Sequence, residues 1–521
     1  MGIFQRNMLV KTRGASLFGT DAIGIQVEVN VSMGQGYCIV GLPDTAVKES
    51  LHRTEIAIKA NGFQMPRTKL VINLAPADIK KTGPAFDLPI AIGILAASGQ
   101  IVDSKVLTQY LMMGELSLNG ALQPIKGVLA MAIYAKEAGL DGLIIPTKNA
   151  AEASLIEGLK VFGFDHLTEV THFCNEPELF SPFQQIDLET ETLPIDYPVD
   201  FAFIKGQFQA KRAIEIAAAG GHNLIMVGPP GAGKTLLAKT SISILPAMSH
   251  DETLETSKVY SLLGKLSPKS GLMHTRPFRN PHHSLSAIAL VGGGSIPQPG
   301  EISMAHNGVL FLDELPEFTR AAIEILRQPM EAGFVSISRA RQTVDFPSRF
   351  MLFASMNPCP CGYFNHPQKA CTCSPNSVRK YLHKISGPLL DRIDLQIEVV
   401  PVSYEALTNQ TMTENSMTIR NRVQKARAIQ FKRFSQRPGI NTNAQMQLND
   451  LKEWAQLDEA SAKLLKIAME QFHLSARAYD RIIKVARTIA DLDEAKDIQN
   501  QHISESIQYR MLDRAAWGQS Y

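Results

Sequence analysis

The sequence predicts an α/β protein: an N-terminal α+β unit, a parallel-sheet core and a C-terminal helical region. Three observations predict it. Strand-like and helical runs alternate from the N-terminus to about residue 400. One buried strand runs directly into a glycine-rich loop and then a helix. From Ser403 the pattern is mainly helical to the end. Composition agrees: of 521 residues, 45% are hydrophobic and 20% charged, which suits a chain that buries sizeable cores. Lys plus Arg total 52 against 50 Asp plus Glu, a net charge of +2. That excludes a uniformly basic coat but leaves room for local positive charge in a pore or loop.

Taken in order, the first twenty residues are interrupted by Arg6, Lys11 and Arg13 and carry no apolar core of a secretory signal. The longest apolar run, Leu88 to Ala97, is too short to span a bilayer. A cytoplasmic protein with no membrane partner is expected. Ile25 to Val31 and Lys69 to Leu74 read as strands. Asp44 to Ala60 and Gly127 to Gly139 read as helices, and the Ala, Gly and Leu content of Leu88 to Ala97 favours a buried helix. Residues 175–200 hold seven acids, four prolines and no Lys or Arg. Such a stretch repels itself and resists helix, so it reads as a linker. The expected divisions are an N-terminal domain over 1–174, the acidic linker over 175–200, a core over 201–402 and a helical lid over 403–521.

The core opens with a helix, Gln207 to Ala219, stopped by Gly220-Gly221. A strand, Asn223 to Val227, then leads into Gly228-Pro229-Pro230-Gly231-Ala232-Gly233-Lys234-Thr235. This is a complete G-x-x-x-x-G-K-[ST] loop between a strand and a helix. Its glycines let backbone N–H groups close around phosphate oxygens, and the helix N-terminus adds positive potential. Lys234 is placed for the β- and γ-phosphates and the Thr235 hydroxyl for Mg²⁺. The next buried strand, Gly308 to Leu312, ends in Asp313-Glu314. An α/β sheet binds its ligand at that strand end. Asp313 suits a water-mediated Mg²⁺ contact, and Glu314 suits a general base for the lytic water. A third strand, Arg349 to Ala354, leads to Ser355-Met356-Asn357, where Asn357 either touches the γ-phosphate or water, or opens the turn at Pro358.

Four of the six cysteines crowd into Cys359-x-Cys361 and Cys371-x-Cys373. Four thiolates in so short a stretch suit one tetrahedral Zn²⁺ that staples a Pro- and Gly-rich loop, and His366 is a substitute ligand. Reduced free thiols, or a redox pair, are the alternatives in a reducing compartment.

These motifs together resemble the AAA+ ATPases of the magnesium-chelatase-like group, most closely the ComM/YifB family. The carrying residues are Phe203 to Gln207, Gly220 to Leu224, Gly228 to Thr235, Arg276 to His283, Phe311 to Leu315, Asn357 to Gly362 and Leu389 to Asp394. The resemblance implies ATP and Mg²⁺ as cofactors, with Gly206 and Gln207 beside the adenine. It implies a homo-hexamer in which Arg392 is an arginine finger to the neighbouring subunit and Arg477 a sensor arginine of the lid. A finger of this kind is worth about 10³–10⁵ in rate. An ion pair with Asp391 or Asp394 is the other reading of Arg392.

Three basic features are candidate DNA contacts. Phe334 to Phe346 reads as a hairpin with Arg339 and Arg341 at its tip, a pore element or a solvated turn. Arg276 and Arg279 belong to a second candidate pore element, with packing against the core as the alternative. Thr418 to Pro438 holds seven basic residues and no acid, either a solvated face or a DNA-facing helix. The N-terminal region resembles the Lon-protease-like, ribosomal S5-type fold through Asp78 to Ala85 and Leu122 to Leu129. Ala85 and Leu129 stand where that family has its serine and lysine, so peptidase chemistry is not expected.

The resulting expectation is a DNA motor: a helicase that works on single-stranded and branched DNA, drives branch migration in natural transformation and homologous recombination, and meets recombination proteins. A chelatase-type remodeller and a protein unfoldase are the alternatives.

Overall fold

The computed structural model describes residues 8–101, 105–184, 197, 199–266, 271–294, 297–339, 342–364, 366, 368–402, 414–437 and 439–510. Residues 185–196 and 198 of the expected acidic linker lie outside these residues; its described start packs on the first unit, with Pro177–Leu179 helical and Phe180 against Phe164 and Phe173. The first unit is a seven-stranded mixed sheet. Its strand order is Tyr37–Val40, Lys69–Ala75, Asp21–Ser32, Met8–Phe18, Tyr110–Met112, Gly142–Pro146, Lys160–Phe164. Asp21–Ser32 pairs antiparallel with both Met8–Phe18 and Lys69–Ala75, and the remaining pairs are parallel. In Lys69–Ala75 every second residue is buried, so one face meets the core. Thr45–Ala60 starts where the Asp44 carboxylate accepts from the Val47 N–H at 2.8 Å, an N-cap. Asp87–Ala97 is helical and buried at all eleven positions, which explains an apolar run without helical periodicity.

The second unit is a five-stranded parallel sheet, ordered Phe278–Arg279, Val309–Leu312, Met351–Met356, Leu224–Val227, Leu395–Glu398. Its two edge strands, Phe278–Arg279 and Leu395–Glu398, escape sequence reading: one has two residues, and the other mixes Gln and Glu into its apolar pair. The helix Phe208–Gly220 covers one face and ends on Gly221 in the left-handed region, φ 72°.

Beyond residue 414 come the helices Ser416–Phe434, Leu448–Trp454, Glu459–Phe472, Ala476–Leu492 and Asn500–Gln508. They share a core built on Leu465, Ile482, Ile483 and Ile503. The basic helix Ser416–Phe434 keeps one solvated face, with Gln424, Lys425 and Lys432 exposed, and buries the other. It packs on Phe208–Gly220, and all its cations but Lys432 find partners. Arg420 donates to Ser243 O, Arg422 to Glu215 and Glu414, Arg427 to Ala218 O, and Arg433 to Asp491. Lys425 and Arg437 pair with Glu494 and Glu453.

The two α/β units touch where the core helix His250–Leu262 packs against Val128–Glu137, and again where Gly19 lies against Val344 and Asp345. Ser261 is the hinge of the contact: its carbonyl accepts from Gly127 N–H at 3.1 Å and its hydroxyl donates to the Glu152 carboxylate. Among the described residues no helix is long and apolar enough to cross a membrane.

Candidate active site

The nucleotide site forms at the C-terminal ends of three adjacent parallel strands, Leu224–Val227, Met351–Met356 and Val309–Leu312. Gly231 and Gly233 take φ 79° and 89°, which only glycine adopts without strain, and so turn the loop backbone around an anion-sized space. Lys234 opens the helix Lys234–Thr240. Its ammonium donates to Gly228 O at 2.6 Å, Pro229 O at 3.0 Å and Asn357 Oδ1 at 3.1 Å. Burial lowers the Lys234 pKa, against the pull of Asp313 and Glu314. Carbonyls and one amide are replaceable partners, so the charge is free to move to phosphate oxygens. The Asn357 side chain thus meets the lysine of the phosphate loop.

The acids are set by a second network. Thr235 Oγ1 donates to Asp313 Oδ2 at 2.7 Å, which puts the hydroxyl and the carboxylate together where Mg²⁺ chemistry needs both. Ser355 Oγ donates to the other Asp313 oxygen. The Glu314 N–H points to Asp313 Oδ1 and Ser355 Oγ, both at 3.2 Å. Glu314 sits at φ 53°, an uncommon conformation for a non-glycine residue, which this hydrogen bonding supports. Its carboxylate lies 3.8 Å from His283 Nδ1. Gln207, at φ 56°, donates to Ala232 O at 3.3 Å and Val400 O at 2.6 Å, so it ties the helix Phe208–Gly220 to the phosphate loop. Gly206 precedes it at φ 61° against Val402.

Ser355 and His283 are the site residues that sequence reading missed as participants. Ser355 lies in the third strand, one step before Met356-Asn357. His283 ends the segment Arg276 to His283, whose arginines suggest a pore element. Nothing in their local sequence distinguishes them, because their partners come from other strands.

The cysteines close into one cluster. All four sulfurs lie within 4.8 Å of one another. Cys359–Cys361, Cys361–Cys371 and Cys359–Cys371 are 3.3, 3.6 and 3.7 Å apart. Four thiolates around a tetrahedral ion at 2.3 Å stand about 3.8 Å apart, so the donor set fits such an ion. His366 is not part of it: its Nδ1 accepts from the N–H groups of Gln368 and Lys369. The cluster leans on the nucleotide loop, for a Cβ at Gly362 would come within 2.6 Å of Pro230 Cδ.

Arg392 and Arg477 stand apart from the phosphate loop. Arg392 is 8% exposed, pairs with Glu331 at 2.6 Å and donates to Pro388 O at 2.5 Å. Arg477 opens the helix Ala476–Leu492 and reaches Asp391 at 3.5 Å. Asp394 takes Arg481 at 2.9 Å and faces buried His222 at 3.6 Å. Arg276 is held by Glu252 at 2.7 Å and by carbonyls including Asn307 O, and Arg279 by Glu301 at 2.7 Å. Carboxylates of their own chain pair with them, which favours the alternative that they anchor the insert to the core. Arg339 ends the strand Phe334–Arg339 of a hairpin completed by Gln342–Pro347. Arg341 lies outside the described residues. In the first unit, Ala85 lines a cavity of about 570 Å³ against the core, and Leu129 is fully buried.

Three family matches cover this architecture in order. "Subunit ChlI of Mg-chelatase" matches residues 27–149, "Magnesium chelatase, subunit ChlI" residues 200–407, and its C-terminal family residues 413–510. The YifB protein of Escherichia coli K12 is 42% identical over 509 residues, 97% of each chain. The chain belongs to the ComM/YifB family. Competence protein ComM of Haemophilus influenzae is 43% identical over 500 residues, 95% of this chain and 96% of its own. Lon protease 2 of Bacillus subtilis is 25% identical over 201 residues, 34% of this chain and 36% of its own. This member of the ComM/YifB family is a magnesium-chelatase-like AAA+ ATPase that uses a nucleotide and Mg²⁺, with Lys234, Thr235 and Asp313 as the residues that fit them.

Proposed function

We propose that this ComM/YifB protein is the subunit of a hexameric, ATP-driven DNA translocase that promotes branch migration during natural transformation and homologous recombination. The observation that carries the reading is the 43% identity to Competence protein ComM over nearly the whole of both chains. The site's chemistry supports it. Glu314 activates water, Asp313 and Thr235 hold Mg²⁺, and Lys234 and Asn357 bind the γ-phosphate. Arg392 of the neighbouring subunit supplies fixed charge to the transition state, and Arg477 senses the phosphate from the lid. The hairpin Phe334–Pro347 leads directly into the strand that ends at Ser355 and Asn357, so hydrolysis and hairpin position share one rigid element. Arg339 and Arg341 then grip the DNA backbone, repeated around the ring.

The four cysteines hold structural zinc in this proposal. The ion supplies a rigid staple to the loop beside Pro230, while the hydrolytic chemistry stays with the AAA+ residues. A chelatase-type remodeller is the second reading, favoured by the ChlI descriptions of all three family matches.

Two measurements test the proposal. Single-stranded or branched DNA is expected to stimulate ATP turnover by the purified chain, and a porphyrin to leave it unchanged; the reverse pattern selects the chelatase reading. Arg339→Ala with Arg341→Ala is expected to weaken DNA binding at fixed salt while basal ATPase persists. Unchanged affinity removes the hairpin from the mechanism.

A further inference from the structure

At the end of the AAA+ sheet opposite the phosphate loop, a cavity of about 480 Å³ opens beneath the strand entries. Asn223, Gly308 and Phe350, each just before a core strand, form one side, and the loop from Gly439 to Gln447 forms the other. Five cations line it, Arg276, Arg349, Arg427, Arg481 and Lys484, against two carboxylates, Glu252 and Glu331. Both carboxylates are already taken, Glu252 by Arg276 and Glu331 by Arg392. Arg481 is matched by Asp394.

Three cations are left. Arg427 donates only to Ala218 O, at 3.1 and 3.2 Å, and Lys484 only to Ala444 O, at 3.1 Å. Arg349 is exposed at the rim. Among the described residues none of the three has a carboxylate within 4.0 Å. Burial lowers the Lys484 ammonium to about 8, together with Arg481 and against Asp394, Asp480 and Asp450. A cation drawn out of water beside carbonyls alone lacks the counter-charge that would offset its desolvation. Phosphate oxygens supply it, and guanidinium forks match them in geometry.

We propose that this cavity is a second anion site, separate from the ATP site, that takes a phosphate-bearing ligand. Its volume admits a few phosphoryl groups or a short length of single strand and excludes a duplex. An occupant would tie the helix Ala476–Leu492, which carries Arg481, Lys484 and Arg477, to the strand entries of the core. Lid position would then depend on the ligand.

The test uses the full chain with its phosphate loop saturated by a nonhydrolysable ATP analogue and excess Mg²⁺. Inorganic tripolyphosphate is titrated by calorimetry in one arm, and a short oligothymidylate in the other. One further equivalent of probe is expected to bind. Lys484→Met and Arg349→Gln are each expected to weaken it at least tenfold relative to Lys432→Gln, which removes an exposed cation outside the cavity. Arg349 is exposed, so its substitution does not threaten folding. An effect confined to tripolyphosphate assigns a free polyphosphate, and an effect on the oligonucleotide assigns a strand backbone. If neither probe binds the saturated wild type, or if both variants bind like Lys432→Gln, the proposal is overturned.

Discussion

Glu314 shows how a candidate catalytic residue is held by neighbours distant in sequence. Its left-handed backbone aims the carboxylate out of the sheet, and Ser355 supports that turn by accepting the Glu314 N–H while donating to Asp313. Lys234→Ala and Glu314→Gln are expected to lower kcat at least a hundredfold while leaving the fold intact; normal turnover in either would refute the site. Ser355→Ala is expected to behave differently. Loss of a hydrogen bond to a charged carboxylate is worth about 1.5–3 kcal/mol, so kcat/KM should fall about tenfold or more and half-saturation by Mg²⁺ should rise. Steady-state kinetics over a Mg²⁺ titration separates the two effects. Lys234, Thr235, Asp313 and Glu314 are legible in sequence because each belongs to a contiguous motif whose spacing is the chemistry. Ser355 and His283 are opaque because their roles exist only once strands from distant parts of the chain lie side by side. Arg276 and Arg279 are opaque for the same reason: a local cluster of positive charge says nothing about the Glu252 and Glu301 that pair with it.

Among the elements, the hydrophobic pattern predicts those with one buried face, such as Thr45–Ala60 and Lys69–Ala75, and is silent where both faces are alike. Asp87–Ala97 is apolar all round, and Ser416–Phe434 is polar enough to read as solvated although Arg422 and Arg427 bind the core helix beneath. The helix His250–Leu262 adds a dependence on pH through its contact with the Lon-like unit. Burial raises the Glu152 carboxyl above its ordinary 4.5, against the donors Ser261 Oγ and Leu129 N–H. The folded chain therefore binds that proton more tightly than the unfolded one. Stability is lost as pH climbs from about 4.5 through the raised value, and is fully present below it. Glu152→Gln keeps an acceptor for both donors without the charge. Its melting temperature is expected to exceed that of the wild type near neutral pH and to match it at about pH 4. A lower melting temperature at neutral pH would mean that the ionised carboxylate stabilises the contact. The cysteine loop makes a separate prediction: metal analysis should find one zinc per chain, and Cys371→Ser should lose it and slow ATP turnover through Pro230. A wild type free of metal after purification without chelators would leave the cluster as reduced thiols.

For the assembly as a whole, the decisive question is what Arg392 does when a second subunit arrives. In one chain its guanidinium is held by Pro388 O and the exposed carboxylate of Glu331, and among the described residues its Nε has no hydrogen-bond partner. In the proposed ring, the γ-phosphate of a neighbour's nucleotide would offer more charge and a bidentate geometry. If Arg392 acts across the seam, two inactive proteins should repair each other. Lys234→Ala subunits bring an intact arginine and no phosphate loop; Arg392→Ala subunits bring the loop without the arginine. In an equal mixture roughly one seam in four pairs an intact loop with an intact finger, so ATP turnover should return when the two are combined and allowed to exchange. Each protein alone would remain inactive, because every seam in it lacks one half. A residue that served only its own chain's Glu331 would give no recovery at any mixing ratio, and that result would dissolve the ring mechanism while leaving the nucleotide site intact.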